Sequence, residues 1–484
     1  MPCDRIRSAT MFLPDRSRLS DRNRLFALTG FLPAGVVLLM VAFEYTGQSG
    51  FAMAASVLGV AAVAIFSLGV KASRVAFVFI AMALVVWAAL TRADWGAATV
   101  AATQRGAMVI ALFTALTAIR NAAMTAPEIV ECGRFLACQR PGLRYTALTI
   151  GGHLFALILI YGSISLLGTL ATESGSQDKD PEITRQRTRR MMIAIQRGFA
   201  STLCWSPLGF SMIITIAVVP GASWSAAALP GIASALMMMV IGWGLDALYK
   251  TRRPVQPRPQ ETERWLIQLR PLLLLLTIVM AGVALLHFAA GVEIIGAVMS
   301  LVPVVAFVWI ALQDPPAGQS RGAHLRDRIL GFITRELPGY RGEMVLLFMA
   351  GFIGSLGAYL LVPLVQAQGL DLTTLPPWVI VAAMVWIIPI TGQLGMNPIL
   401  AVSLLVPILP APEVMGIPPT ALVIAITSGW ALSGATSPFT ASVMLAASLG
   451  GVSPLRAGLG WNGVYILVAG AMLTGWSLLL LTVL

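Results

Sequence analysis

Long apolar runs dominate this chain and restrict its fold more than any other feature. Of its 484 residues, 57% are hydrophobic and only 11% are charged, so the chain lacks the polar surface that a water-soluble protein of this size needs. In hydrocarbon every backbone polar group must find its partner inside the protein, and helices achieve this within a single run. We therefore expect an all-α polytopic membrane protein. Eleven runs are long enough to cross a bilayer, at 26–45, 51–70, 75–91, 99–119, 197–219, 225–246, 271–290, 292–312, 343–365, 420–447 and 461–482.

Two further apolar segments, 146–171 and 378–409, have glycine and polar residues at their centres, in the stretches YGSISLLGT and TGQLGMNP. We predict that each is a re-entrant hairpin, which enters and leaves the membrane by one face. The charge distribution supports this interpretation, because membrane proteins concentrate lysine and arginine in cytoplasmic loops. With the arginine-rich tail 1–25 in the cytoplasm, the predicted outer loops contain one basic residue, Arg92. Counting either hairpin as a full crossing would invert every later loop and place arginine clusters on the outer side of the membrane.

A stretch of this chain occurs in two related copies, QRGFASTLCWSPLGFS at 196–211 and TSGWALSGATSPFTAS at 427–442, an offset of 231 residues. Each copy places Ser-Pro within an apolar run, where proline removes a backbone hydrogen bond and breaks a helix. The predicted topology runs the first broken helix, 197–219, outward and the second, 420–447, inward. The chain is therefore predicted to contain two inverted repeats, each with a hairpin followed by a broken helix.

This organisation divides the chain into five segments. They are a cytoplasmic tail 1–25, N-terminal scaffold helices 26–91, a first half 97–246, a cytoplasmic linker 247–270 and a second half 271–484. The linker contains RRPVQPRPQETER, a charged, proline-rich stretch typical of an exposed connector. We expect a multi-pass protein of the bacterial inner membrane with a cytoplasmic N-terminus and a periplasmic C-terminus.

The interrupted helices are the expected binding site. A break frees carbonyls, which suit a cation, and exposes amides, which suit an anion; matching breaks in two halves mark the site of a secondary transporter. A single Ser or Thr in a membrane helix more often bonds to its own backbone, but duplication at a fixed spacing favours a binding role. The residues predicted to bind substrate or ion are Ser163, Ser165, Thr202, Ser206, Pro207, Thr391, Gln393, Asn397, Ser433, Thr436, Ser437 and Pro438. Within this set, a sodium ion is expected near Ser163, Ser206, Asn397 and Ser437.

Two of these stretches resemble sequences of the ion transporter superfamily, which includes divalent-anion:sodium symporters, arsenite exporters, citrate transporters and the membrane subunits of TRAP transporters. GFASTLCWSPLG resembles the break after the first hairpin of these proteins, and GMNPILAVSLLVPIL resembles their second hairpin. The symporters carry Ser-Asn-Thr at both hairpin tips, whereas here the first tip reads GSISLLGT and only the second has an asparagine, Asn397. We therefore expect one cation site to be better formed than the other. The resemblance also implies elevator-like movement on a homodimeric scaffold.

These features predict a secondary active transporter of a small anionic solute, such as an organic acid or an oxyanion, with its site between the hairpin tips and the broken helices. Few carboxylates fall inside the predicted spans, which favours Na⁺ over H⁺ as the coupling ion. His153, in the entering arm of the first hairpin, is the deepest titratable group. A H⁺-coupled transporter or an exporter of the same fold is therefore the alternative.

Other functional classes are less favoured. A channel needs a continuous pore, and the sequence has no ring-like charged or filter motif. A membrane-embedded transferase needs acid–base or metal-binding groups, and no Ser-His-Asp or HExxH pattern is present, so we expect no enzymatic activity and no cofactor beyond a coupling Na⁺. The net charge of +11 is spread over short loops, which argues against nucleic acid. The expected partners are an anionic substrate, the lipid bilayer and a second copy of the chain.

Overall fold

A computed structural model describes residues 27–140, 142–175, 181–249, 265–316, 318–367 and 372–484. The predicted tail 1–25 lies outside these residues, as does most of the predicted linker 247–270. Within the described ranges the chain forms helices, turns and loops, without β-strands. The structure thus confirms the all-α prediction made from the apolar runs.

Nine helices of the described chain are long and apolar enough to cross a membrane, and they coincide with nine of the eleven predicted spans. The remaining two predicted spans are shorter or interrupted. The span predicted at 26–45 is the apolar helix Phe31–Thr46, with 16 residues. The span predicted at 197–219 is divided between two helices, Pro181–Thr202 and Phe210–Val218, as expected for a broken helix.

The helices are numbered here in chain order. They are α1 (Phe31–Thr46), α2 (Ser49–Ser67), α3 (Ala72–Thr91), α4 (Trp95–Met124), α5 (Pro127–Ala137), α6 (Arg144–Leu159), α7 (Gly162–Gly175), α8 (Pro181–Thr202), α9 (Phe210–Val218), α10 (Trp224–Leu248), α11 (Trp265–Ala290), α12 (Ile294–Leu312), α13 (Arg321–Gly331), α14 (Arg341–Ala367), α15 (Pro377–Gln393), α16 (Pro398–Leu405), α17 (Pro419–Thr436), α18 (Ala441–Leu449) and α19 (Trp461–Val483). Short helical segments occur at Phe332–Glu336, Leu337–Gly339, Leu372–Thr374, Val406–Ile408 and Arg456–Gly460.

Both predicted breaks are present in the structure. α8 ends at Thr202 and α9 begins at Phe210, while α17 ends at Thr436 and α18 begins at Ala441. The Ser-Pro pair of each copy lies in the non-helical residues between them. Proline explains the interruption, because it has no backbone N–H for the helix and its ring clashes with the preceding turn.

The predicted hairpins are pairs of helices joined by tight turns. α6 and α7 are joined at Ile160 and Tyr161, just before Gly162, and α15 and α16 are joined by residues 394–397. Ile160 has a φ of 50°, and it is the one non-glycine residue with positive φ in the described chain. A β-branched residue in this region is strained, and such strain persists where the surroundings enforce it, often at binding sites.

The repeated glycines let each hairpin pack closely against its broken helix. A Cβ atom at Gly198 of α8 would overlap the carbonyl oxygen of Thr149 on α6. A Cβ atom at Gly429 of α17, 231 residues later, would lie 2.7 Å from the carbonyl oxygen of Met384 on α15. Glycine at both positions therefore permits backbone-to-backbone contact, as small residues do in membrane helices.

The remaining helices form a scaffold in which α4 and α14 are central, and both pack against α2. Gly106 of α4 lies against Phe348 of α14, which brings these two helices close together. α14 also packs against α16, the second arm of the second hairpin, where Gly354 faces Ser403. The scaffold thus touches the elements that carry the predicted site.

Candidate functional site

The two breaks share a set of hydrogen bonds at the 231-residue offset. Ser206 Oγ accepts from Leu208 N at 3.2 Å, and Ser437 Oγ accepts from Phe439 N at 3.3 Å. A second pair of serines restores carbonyl bonding across the breaks: Ser211 Oγ donates to Leu203 O, and Ser442 Oγ donates to Gly434 O. Part of the repeated motif therefore stabilises the broken conformation itself, since these side chains satisfy backbone groups freed by proline.

In the second half, the last residues of α15, next to the hairpin turn, are bonded directly to the break. Ser437 Oγ donates to Gly392 O at 2.6 Å, and Gln393 Nε2 donates to Thr436 Oγ1 at 3.4 Å. Two acceptor atoms beside these bonds, Ser433 Oγ and Gln393 Oε1, are buried without a hydrogen-bond partner in the described chain. Buried polar atoms without partners are uncommon and call for an explanation such as a bound ion or water.

The other predicted residues of the second half have local roles. Asn397 Oδ1 accepts from Ile399 N at 2.9 Å and so caps the N-terminus of α16. Thr391 Oγ1 donates to Ile388 O at 3.0 Å within α15. Pro438 is half-buried and precedes the exposed Phe439. The side-chain NH₂ group of Asn397 can still donate to a ligand, because the cap uses only the side-chain oxygen Oδ1.

In the first half, Ser163 and Thr202 each bond to the backbone carbonyl three residues earlier. Ser163 Oγ donates to Ile160 O at 2.7 Å, and Thr202 Oγ1 donates to Phe199 O at 2.7 Å. No hydrogen bond joins Ser163 or Ser165 to Ser206 in the described part of the chain. Ser163 and Ser206 are buried and Ser165 is half-buried; Pro207, beside Ser206, is also buried.

A cluster of side chains around His153 joins the first hairpin to the first break. His153 Nδ1 lies 2.7 Å from Ser201 Oγ, and Trp205 Nε1 donates to His153 Nε2 at 3.3 Å. The rings of His153 and Trp205 are stacked with centroids 6.0 Å apart. Trp205 is also fixed through its backbone, because Trp224 Nε1 donates to its carbonyl oxygen at 3.0 Å.

A buried polar network connects the two breaks, and the sequence-based prediction missed it. Gln196 Nε2 donates to Ala435 O at 3.0 Å, and Asn462 Nδ2 donates to the same oxygen at 3.2 Å. Arg197, only 6% exposed, donates through Nε to Asn462 Oδ1 at 2.9 Å, and its guanidinium lies 4.1 Å from the ring centroid of Tyr465. A signal for it existed, because Arg197 is a charge inside a predicted span, where charges are rare.

Comparisons with known proteins give a structural similarity but no sequence match. No family model matches the chain, and no curated protein is similar to it in sequence. The structure is similar to that of the Alcanivorax borkumensis YdaH transporter, with a TM-score of 0.50 and 17% sequence identity. The match covers 84% of this chain and 97% of that chain. At this identity the similarity shows a shared fold alone. The resemblance to the ion transporter superfamily stays a prediction.

Proposed function

We propose that this protein is a secondary active transporter of a small anionic solute. The attachment of a re-entrant hairpin turn to a helix break carries this proposal. Ser437 bonds to Gly392 across that junction, and Thr436 bonds to Gln393 beside it. Irregular backbone at membrane depth is tolerated where it is buried in protein or lines a cavity, and it forms the substrate sites of many transporters. The fold shared with a transporter supports the same function.

Na⁺ is the coupling ion that the second half-site suits best. A hard cation prefers neutral and anionic oxygen ligands, and Ser433 Oγ and Gln393 Oε1 are buried oxygens without partners. The C-terminal end of α17 adds the negative end of a helix dipole. Bound there, Na⁺ would couple transport to the sodium gradient. The corresponding first half-site is less suited, because Ser163 and Ser206 already have backbone partners.

The inverted repeats, the elevator movement, the homodimer and membership in the ion transporter superfamily also belong to this proposal. Recurrence of the same serine–backbone hydrogen bonds at an offset of 231 residues supports the duplication. Localisation in a bacterial inner membrane, with a cytoplasmic N-terminus, follows from the loop charges.

Counterflow in proteoliposomes tests the proposal. Purified protein is reconstituted and assayed with a panel of labelled succinate, citrate, sulfate and benzoate, with and without a sodium gradient. We expect saturable, sodium-dependent uptake of at least one of these anions. The variant Ser433→Ala should raise the sodium concentration for half-maximal uptake by about tenfold, because an oxygen ligand to a charge is worth about 1.5–3 kcal/mol. Ser234→Ala is the matched control, since Ser234 is a buried serine that bonds to Pro230 O within α10.

A proton-coupled transporter is the second candidate, because the buried His153 joins the first hairpin to the first break. Uptake that does not depend on sodium but is driven by an imposed pH gradient would identify H⁺, and not Na⁺, as the coupling ion. Unitary current steps without counterflow would instead indicate a channel and reject the transporter.

A further inference from the structure

A cavity of about 240 Å³ lies between the predicted site elements and the scaffold. One wall consists of α9, which follows the first break, and α16, which follows the second hairpin turn. The opposite wall consists of α4 and α14. Most of the lining is apolar and includes Leu112, Phe210, Ile213 and Ile399.

Three polar side chains also line this cavity, and none has a hydrogen-bond partner in the described chain. They are Arg105 on α4, Ser355 on α14 and Ser403 on α16. Serine in a membrane helix ordinarily bonds to a carbonyl one turn earlier, as Ser56 does to Ala52 O at 2.8 Å. Ser403 makes no such bond although it is only 7% exposed. A mostly buried serine whose hydroxyl has no hydrogen-bond partner, at the wall of a cavity that also has an arginine guanidinium without one, indicates a ligand site.

We propose that this cavity binds a small amphipathic organic acid, with an apolar body and a single anionic group. The Arg105 guanidinium pairs with the acid group, because its planar donors match a carboxylate in a two-point contact. The hydroxyls of Ser355 and Ser403 donate to the oxygens of the same acid group. The body of the ligand packs against Phe210, Ile213 and the other apolar residues of the lining.

The size and charge of the cavity define this class of ligand. A volume of 240 Å³ equals that of about eight liquid water molecules, which suits a ligand with one ring or a short chain. Glu44 on α1 is near enough to Arg105 for the two charges to interact. Its carboxylate disfavours a second negative charge on the ligand, so a monoanion fits better than a dianion.

This inference rests on the proposed function and names its substrate class. The ligand in this cavity contacts α9 and α16, which are connected to the breaks and hairpins, and also contacts the scaffold helices α4 and α14. A substrate held between these two groups of helices is placed to respond to movement of one group against the other.

Calorimetric titration of the purified protein with benzoate tests the inference, with benzamide as the uncharged analogue. We expect benzoate to bind and benzamide to bind at least tenfold more weakly. Arg105→Gln should weaken benzoate binding about tenfold, because it removes a charged hydrogen-bond donor. Arg456→Gln, which changes an exposed arginine outside the cavity, should leave binding unchanged.

Two further variants separate loss of the site from loss of folding. Ala358→Phe fills the cavity without altering its charge, and Ser403→Ala removes one hydroxyl; thermal unfolding is measured for both. We expect Ala358→Phe to abolish benzoate binding and Ser403→Ala to weaken it several-fold, with unfolding temperatures near that of the parent. Benzoate binding that is unaffected by Arg105→Gln and by Ala358→Phe would overturn the inference. Failure of benzoate to bind, with phosphatidylglycerol in nanodiscs bound through Arg105, would also overturn it in favour of a lipid site.

The outcome also distinguishes this inference from the proposed function. Benzoate binding that depends on Arg105, without uptake in proteoliposomes, would retain the inference and reject transport. Saturable uptake of small acids that neither cavity variant alters would retain transport and reject the inference.

Discussion

At the scale of single residues, hydrogen-bond geometry determines the protonation of His153. Trp205 Nε1 carries a proton and points to His153 Nε2, so Nε2 must accept and has no proton. Ser201 Oγ donates its own proton to Gly198 O at 2.8 Å, so it accepts from His153 Nδ1. His153 is therefore neutral in this conformation, with its proton on Nδ1. A second proton on Nε2 would break the bond to Trp205, which lies in the first break.

Replacing His153 tests this arrangement. His153→Leu removes both bonds and leaves the Trp205 indole N–H without its acceptor, which should lower the unfolding free energy by about 1–3 kcal/mol. His153→Gln, which retains an acceptor and a donor, should lower it less. Thermal unfolding of the detergent-purified variants measures the difference, with His287→Gln as control because the hydrogen bond of His287, to Val292 O, is local to the end of α11. Equal unfolding temperatures for His153→Leu and His153→Gln would contradict the assignment.

At the scale of secondary-structure elements, the first arm of each hairpin lies in backbone contact with a broken helix. α6 packs on α8 at Gly198, and α15 packs on α17 at Gly429. The repeated glycines permit these contacts, because any side chain at either position would push the two helices apart. The duplication therefore preserves a packing distance as well as a helix break.

Alanine substitutions at these glycines should separate the pairs. Gly198→Ala and Gly429→Ala each introduce a methyl group into neighbouring backbone, and we expect a loss of about 1–3 kcal/mol in unfolding free energy and a fall in uptake. Gly463→Ala is the matched control, since no atom lies within 4 Å of its Cβ position on α19, and alanine there should be neutral or stabilising. Unfolding temperatures of all three variants measured in the same detergent settle the comparison. If Gly198→Ala behaves like Gly463→Ala, the close-contact interpretation is wrong.

At the scale of the whole molecule, the contact between α14 and α16 joins the scaffold to the predicted binding elements. A Cβ atom at Gly354 would overlap the Cβ of Ser403, whereas one at Gly357 would lie 2.7 Å from Leu404 Cδ2. The first overlap involves an atom close to the backbone. The second involves the end of a side chain that can rotate away.

The two glycines of α14 should therefore respond differently to alanine. Gly354→Ala forces α16 away from the scaffold and should reduce uptake strongly, with a destabilisation of about 1–3 kcal/mol. Gly357→Ala should have a smaller effect on both quantities. Uptake rate and unfolding temperature are measured for the two variants in parallel. A larger loss for Gly357→Ala would show that the contact at Ser403 does not control the position of α16.

Much of the fold could be predicted because membrane helices are specified locally. The length of each apolar run sets a span, and Ser-Pro within a run sets a break, since backbone bonding in lipid is satisfied within the run itself. Nine predicted spans and both breaks appear in the structure for this reason. The first hairpin turn lies at Ile160 and Tyr161, at the start of the stretch YGSISLLGT from which the hairpin was predicted.

The contacts that build the site could not be predicted, because they join residues far apart in the sequence. Gln196 and Ala435 are 239 positions apart, and Arg197 and Asn462 are 265 apart. Nothing local requires these pairs; tertiary packing alone brings them together. The same holds for the cavity between α9, α16 and the scaffold, whose free arginine and serines come from separate helices. The sequence by itself determined where the helices run and where they break, and the tertiary structure decided which buried polar groups found protein partners and which remained free for a ligand.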